Sequence, residues 1–221
     1  MVEIIKRKGR TILNFEIENM KKKIIDISQG VSIAILKLEK AMENNDSNIA
    51  KEIVVEDEYI NNKCLELEKH AYKVIALQQP ISSDLRQIVS IIRTVPDLER
   101  MGDHIKAIAK ILPDIEKLKI DDIKSLIIKM LKIIERRLNE TIETFVNKNS
   151  IGAIEMSKKD SDIYKQSNIL IHKIVNEMKD DINSVSKLLL VAKSIERMGD
   201  YIVNICENTV FSDTGKLTEL M

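Results

Sequence analysis

The sequence predicts an all-α protein built as two tandem, pseudo-symmetric, antiparallel three-helix bundles. Three observations predict it. Apolar residues recur at helical spacing over long stretches, glycine and proline are scarce at 6 and 3 of 221 residues, and the chain repeats itself. The plainest part of the repeat is the pentapeptide Glu-Arg-Met-Gly-Asp, at Glu99–Asp103 and again at Glu196–Asp200.

The first helix is expected over about Glu16–Met42, on the stripe Ile24, Ile27, Val31, Ala34, Leu38 and Met42, and it stops at the polar run Glu43–Asn48. Ahead of it, Lys6, Arg7, Lys8 and Arg10 read as a basic disordered end. They do not start a secretory signal, because Glu16 and Glu18 interrupt the apolar run one needs. The second helix starts near Ser47 and reaches Gln79, where Pro80 blocks it. The third opens around Ser82–Asp84, with Asp84 favourable in the first turn, carries Ile88, Ile91, Val95, Leu98, Ile105, Ile108 and Leu112, and ends before Pro113. Pro96 inside it predicts a kink or a split.

The fourth helix spans about Ile120–Val146, on Ile127, Leu131, Ile134, Leu138, Ile142 and Phe145. A fifth runs over about Ile151–Met178. The sixth opens near Ser184 and carries Leu188, Leu189, Ala192, Ile195, Ile202 and Ile205. Beyond Phe211 the chain turns polar and is expected to fray.

The repeat reaches past the pentapeptides. Ala50, Asp57 and Ile60 recur as Ala153, Asp160 and Ile163 at an offset of 103, while the pentapeptides are offset by 97. The difference falls between them, where the first half has the longer turn around Gln79–Asp84. Two units follow, residues 1–115 and 116–221, with a boundary near Pro113–Asp121.

Composition narrows the function. Lys plus Arg number 35 and Asp plus Glu 35, so no global field recruits nucleic acid, and 3 Phe, 4 Tyr and no Trp leave little for base stacking. No run approaches the roughly 18 apolar residues of a membrane span. Cys64 and Cys206 sit in apolar helical patterns and read as buried thiols, which fits a reducing cytoplasm.

The chemistry concentrates in the pentapeptides. Glu99 and Asp103 share one helix face one turn apart, as do Glu196 and Asp200, and like charges so placed repel unless a cation lies between them. Gly102 and Gly199 each cost about 1 kcal/mol in a helix interior relative to Ala, which implies close approach by a neighbouring helix or a bound group. Asp57 and Asp160, at equivalent places in the second and fifth helices, are the candidates to complete an oxygen-rich site. Carboxylate ligation suits Mg, Mn or Fe, and Ca less comfortably. The Glu-x-x-His pairing of di-iron bundles is missing, as is any Cys/His cluster for structural zinc. His104 points about 100° away from Asp103, and His70 and His172 read as ordinary flank residues. With no phosphate loop, nucleophile elbow or triad in view, the sequence reads as a binding or regulatory protein and not an enzyme.

Taken together, these residues resemble the PhoU family of bacterial phosphate-signalling and phosphate-transport accessory proteins. The resemblance is carried by Gln79-Pro80-Ile81-Ser82-Ser83-Asp84-Leu85-Arg86 and Asp97-Leu98-Glu99-Arg100-Met101-Gly102-Asp103-His104. In the second half it is carried by Ala192–Asp200 and Asn204-Ile205-Cys206-Glu207. It implies multinuclear metal sites of iron, zinc, manganese or magnesium, with Glu99, Asp103, Glu196 and Asp200 as ligands and Asp57 and Asp160 joining them. It also implies a cytoplasmic homodimer that restrains the phosphate-starvation response by linking the ATPase subunit of a high-affinity phosphate ABC transporter to a sensor histidine kinase. An accessory of a low-affinity phosphate permease, or a metal-storage or redox enzyme on a helical bundle, stands as the alternative. This chain departs from the family pattern at Pro96, at Ala107 where the second half has Asn204, and at Asn61 and Tyr164, which lack the carboxylate a fuller site would want.

Overall fold

The computed structural model describes residues 2–115, 117–118, 120–158, 161–177 and 181–220, and among these all regular structure is helical. The helices are α1 (Val2–Asn44), α2 (Ser47–Gln78), α3 (Ser82–Ile115), α4 (Asp121–Val146), α5 (Ser150–Lys158), α6 (Ser161–Glu177) and α7 (Ile182–Thr214). The expected fifth helix corresponds to α5 and α6.

Three expectations from the sequence are corrected. The first helix does not begin near Glu16, with a disordered basic end ahead of it. It begins at Val2, and its buried stripe extends back through Met20 and Ile17 to Leu13 at the same spacing of three and four. The third helix neither splits at Pro96 nor stops at Pro113 but runs through both to Ile115. A proline forfeits one hydrogen bond in a helix, and buried Val95, Asp97 and Leu98 around Pro96, with Leu112 and Ile115 around Pro113, hold the helix against that loss. The C-terminal tail does not fray after Phe211. Gly215 ends α7 in the left-handed region (φ 79°), its N–H bonded to the Phe211 carbonyl at 2.9 Å. The Leu220 N–H then donates to Glu207 Oε1 at 3.0 Å, and Leu220 packs on Ala153, Met156, Cys206 and Val210.

The other boundaries have plain causes. Asp46 caps α2 by accepting from the Asn48 N–H at 2.9 Å. Gln79 closes it in the left-handed region (φ 46°), since the following Pro80 disfavours continued helix. Asp181 caps α7 through the Ser184 N–H at 3.1 Å and also accepts from the Ser184 hydroxyl.

In the first bundle α1, α2 and α3 pack on one another, and in the second α4 and α7 enclose α5 and α6. The bundles join along two antiparallel seams, α1 on α4 and α3 on α7. In the first seam, Asn45 accepts from Lys124 (2.7 Å), Glu43 from Lys132 (3.2 Å), and the Ser32 hydroxyl donates to Glu135 (2.6 Å). In the second, Asn208 donates to Thr94 (3.3 Å), Asn204 to Asp97 (3.0 Å), and the His104 ring lies against Tyr201. Ser32 and Glu135 differ by 103, and His104 and Tyr201 by 97, which are the two repeat offsets. A residue meets its own equivalent only on a two-fold axis, so these two contacts mark a pseudo-two-fold relating the halves. Buried side chains of both halves, from Ile24 and Leu38 to Leu131 and Ile195, form one apolar cluster.

Two predictions follow from packing around α2 and α4. Gly102 sits where an added Cβ would lie 3.1 Å from Asp57 Oδ1, and Gly30 where it would lie 3.5 Å from an Ile60 carbon. Asp57 is pinned by Lys106 and Asn61, so it cannot yield, whereas the contact at Gly30 is ordinary. In urea unfolding, Gly30→Ala is expected to gain up to about 1 kcal/mol of helix propensity, and Gly102→Ala to lose about 1–3 kcal/mol through crowding. A stabilising Gly102→Ala would refute the close approach.

Glu39 is 5% exposed on the α1–α4 seam, with Oε1 lacking a hydrogen-bond partner. Burial, opposed by Lys132 and reinforced by Glu135 and Glu43, pushes its carboxyl up to about 6. The folded state therefore holds the proton more tightly than the unfolded chain, so stability falls as pH rises from the ordinary carboxylate range to about 6 and is level above it. Glu39→Gln removes that fall. Thermal unfolding should show it more stable than the parent at about pH 8, by about 1 kcal/mol, and nearly equal at about pH 4.

Candidate functional site

The repeated carboxylates stand where the buried stripes of α3 and α7 meet solvent. Leu98, Met101 and Ile105 are fully buried on α3, which leaves Glu99 half-buried and Asp103 exposed. Ile195, Met198 and Ile202 do the same on α7, with Glu196 and Asp200 half-buried. All four flank the core without entering it.

In the first half the structure brings Asp57 to this surface. Asp57 on α2 is 2% exposed; its Oδ2 accepts from Lys106 Nζ at 2.7 Å and from Asn61 Nδ2 at 3.1 Å. Its Oδ1 is buried and has no partner. Gly102, inside the pentapeptide, faces that oxygen, which accounts for glycine there. Asn61 lacks the carboxylate of a fuller site, and its role is to brace Asp57.

The local charge is unbalanced. Burial raises the pKa of Glu99, Asp103 and Glu68 raise it further, Arg100 opposes them, and Asp57 adds to the rise. Glu68 escaped the sequence reading. It lies eleven residues after Asp57, three helical turns along the same face with Cys64 between them, a spacing that could have found it. The same carboxylates, after burial, push the Cys64 thiol up to about 12, which leaves it inert.

The second motif is built differently. Glu196 is held by Lys193 and accepts from the buried Ser167 hydroxyl at 3.1 Å. Asp200 accepts from Arg197 at 3.4 Å; burial raises its pKa and Arg197 offsets part of the rise. Asp160 lies outside the described residues, and Tyr164 is exposed. Asn204, four residues after Asp200 and so in line with the acidic stripe, reaches across the seam to Asp97. Burial pushes the Asp97 carboxyl up to about 6, against the opposing Asn204 amide and Arg100.

Among the described residues no group of three or more His, Cys, Asp or Glu side chains is arranged to hold a metal ion. The first-half carboxylates interact through charge and not through a shared contact. The histidines take no part. His70 pairs with Glu16 of α1 at 2.8 Å, His172 is exposed, and His104 stacks on Tyr201 with ring centroids 5.8 Å apart. Burial lowers the His104 pKa, with Asp103 opposing. What the arrangement offers chemically is hard oxygen donors with excess negative charge in the first half, and locally neutralised carboxylates in the second.

Comparison with known proteins places this architecture. The family model described as "PhoU domain" matches twice, over residues 24–112 and 127–209. A phosphate-specific transport system accessory protein PhoU homolog of Clostridium acetobutylicum is 31% identical over 215 residues, covering 96% of this chain and 98% of the relative. The homolog of Streptococcus pneumoniae serotype 4 is 30% identical over 214 residues, covering 96% and 99%. The crystal structure of the phosphate transport system regulatory protein PhoU from Streptococcus pneumoniae superposes with a TM-score of 0.85 at 30% identity, over 93% of this chain and 99% of that one. PhoU from Pseudomonas aeruginosa, at 24% identity and a TM-score of 0.78, shares the fold. The chain belongs to the PhoU family.

Proposed function

We propose that this protein is a regulatory accessory of a phosphate transport system, acting by docking and not by catalysis. The observation that carries this reading is end-to-end likeness. Relatives named phosphate-specific transport system accessory proteins align over 96% of the chain, and the family model matches both halves. Its partners are the ATPase subunit of a high-affinity phosphate ABC transporter and a sensor histidine kinase, met on the cytoplasmic side of the membrane by a homodimer. With phosphate plentiful, it favours the inactive state of the kinase. A docking protein does this by binding one conformational state more tightly than the other. Zero formal net charge leaves recognition to short-range contacts, and no helix among the described residues is long and apolar enough to cross a membrane. Exposed apolar side chains such as Tyr72, Leu77, Ile81, Ile151 and Leu190 supply contact area.

The acidic surfaces belong to the same reading as metal sites. In the first half, Glu99, Asp103 and Asp57 are the carboxylates a hard cation would draw on. They do not converge on one point as they stand, so binding would require their side chains to turn toward one another, and iron, manganese, magnesium and zinc are the elements to test. The buried, partnerless Asp57 Oδ1 supports this reading, as an oxygen with acceptor capacity to spare. A bound cation would supply charge neutralisation across the acidic face. The protein's own residues do the rest: Asn61 orients Asp57, and Lys106 balances its charge while no cation is bound. In the second half Lys193 and Arg197 already engage Glu196 and Asp200, so those ligands attract a cation less.

Elemental analysis of the purified chain tests the metal reading. Glu99→Ala with Asp103→Ala should remove most of the bound metal, and Glu196→Ala with Asp200→Ala the smaller part. Equal losses would refute the ranking. A chain without metal, to which iron, manganese, zinc and magnesium all fail to bind, would leave the carboxylates as a docking surface only.

The regulatory reading is tested in cells. Deleting the gene should raise expression of a phosphate-starvation reporter in phosphate-rich medium, and the tagged chain should co-purify the transporter ATPase. An unchanged reporter with no ATPase recovered would sink it.

A further inference from the structure

A cavity of about 350 Å³ opens between α1 and α2, with Gly102 of α3 also in its wall. It exists because the α1 positions facing α2 here are Gly30 and Ala34, too small to fill the space beside Ile53 and Ile60. Ion pairs bridge α1 and α2 on either side of it: Lys37 with Glu52 and Glu56, and Lys63 with Asp26. Ile33 and Tyr59, each 54% exposed, form its lips, and Lys63 lies over the Tyr59 ring at 5.1 Å. The walls are apolar, and Asp57 and Glu56 are the lining residues that carry charge.

Asp57 also lines the cavity. An ionised carboxylate has about four acceptor positions, and Asp57 uses its Oδ2 while Oδ1 remains buried and partnerless. A buried acceptor left unmade costs about 1–3 kcal/mol, so a donor reaching it through the cavity recovers that cost. The charges around the mouth favour a cation. Asp26, Glu52, Glu56 and Asp57 outnumber Lys37, Lys63 and Lys106.

We infer that this cavity is a binding pocket for an aliphatic arm ending in an ammonium or guanidinium group, the arm lying on Ile53 and Ile60 and the head donating to Asp57 Oδ1. A lysine or arginine of a partner protein and a free aliphatic amine share this chemistry. The inference stands whether or not the phosphate-transport reading holds, though it shares Asp57 with the proposed metal site.

The test follows the isoleucine methyl signals of the full chain by NMR while n-hexylamine or n-hexanol is added. The amine should bind about fivefold or more tighter than the alcohol, as a charge-assisted bond exceeds a neutral one. Asp57→Asn, which keeps the shape and removes the charge, should bring the two probes to parity. Ala34→Phe, which fills the cavity, should abolish both shifts, and Gly30→Leu repeats that test should Ala34→Phe fail to fold by circular dichroism.

A second arm compares an amphipathic leucine–arginine peptide with its leucine–glutamine counterpart. Tighter, cavity-dependent binding of the arginine peptide assigns the pocket to a partner side chain. Binding of the amine with no peptide preference assigns it to a free amine. Parity of amine and alcohol in the parent chain overturns the inference, as does absence of shifts from either, or binding that survives both cavity-filling variants.

Discussion

The antiparallel crossing of α3 and α7 at the repeated pentapeptides is the constraint from which the rest of the molecule follows. α3 packs on α1, α2 and α7 at once, so only a narrow strip of its circumference is left for charged side chains. Glu99 and Asp103 occupy that strip because their neighbours Leu98, Met101 and Ile105 are consumed by the core. The polar groups on the α3–α7 seam are matched: Asn208 meets Thr94, Asn204 meets Asp97, and His104 meets Tyr201. An apolar seam could slide by a turn. A buried amide bonded to one hydroxyl or one carboxylate cannot slide without orphaning both groups.

Duplication repeated the motif without repeating its surroundings. Lys193, which holds Glu196, occupies the place where the first half has Pro96. Lys106, which holds Asp57, occupies the place where the second half has Val203. Among the described residues, Lys106 thus neutralises the α2 carboxylate in the first half, and Lys193 the pentapeptide glutamate in the second. Proline at 96 matters less for the path of the helix, which continues through it, than for the cation it leaves out. Two identical pentapeptides therefore present unequal electrostatics, and the inequality resides in residues three positions before and three positions after them.

Much of this was legible in the sequence. The helical stripes, the repeat and the places of Glu99, Asp103, Glu196 and Asp200 beside the core followed from spacing alone, because burial imposes that spacing. The early start of α1 was also written there, in Leu13 and Ile17, but the basic residues ahead of them drew the reading toward a disordered end. Helix continuity through Pro96 and Pro113 was not legible, since it depends on packing against α2 and α7, and no local rule contains that. Nor was the role of Asn204. Its spacing fits the acidic stripe, and only the seam shows it turned toward Asp97. Glu68 was missed because the repeat marks Asp57 on α2 and gives Glu68 no acidic counterpart: at the offset of 103 stands Ile171.

Asp57 links the two surfaces for which ligands have been proposed. Gly102 lies against its Oδ1, and the cavity between α1 and α2 is lined by both residues. On the other side, the charge of Asp57 is felt by Glu99. A cation on the α3 face and a cationic head in the α1–α2 cavity, as proposed, would therefore draw on one carboxylate, and each would lower the negative potential that attracts the other. Linkage makes the antagonism reciprocal: whatever factor the metal imposes on the affinity of the cavity, the cavity ligand imposes on the metal. Glu196 and Asp200, engaged by Lys193 and Arg197, have less charge to share in this way. If both proposals hold, the repeat that looks redundant in sequence would divide the work, the first half being the more responsive to ligands because Lys193 and Arg197 already engage Glu196 and Asp200 in the second.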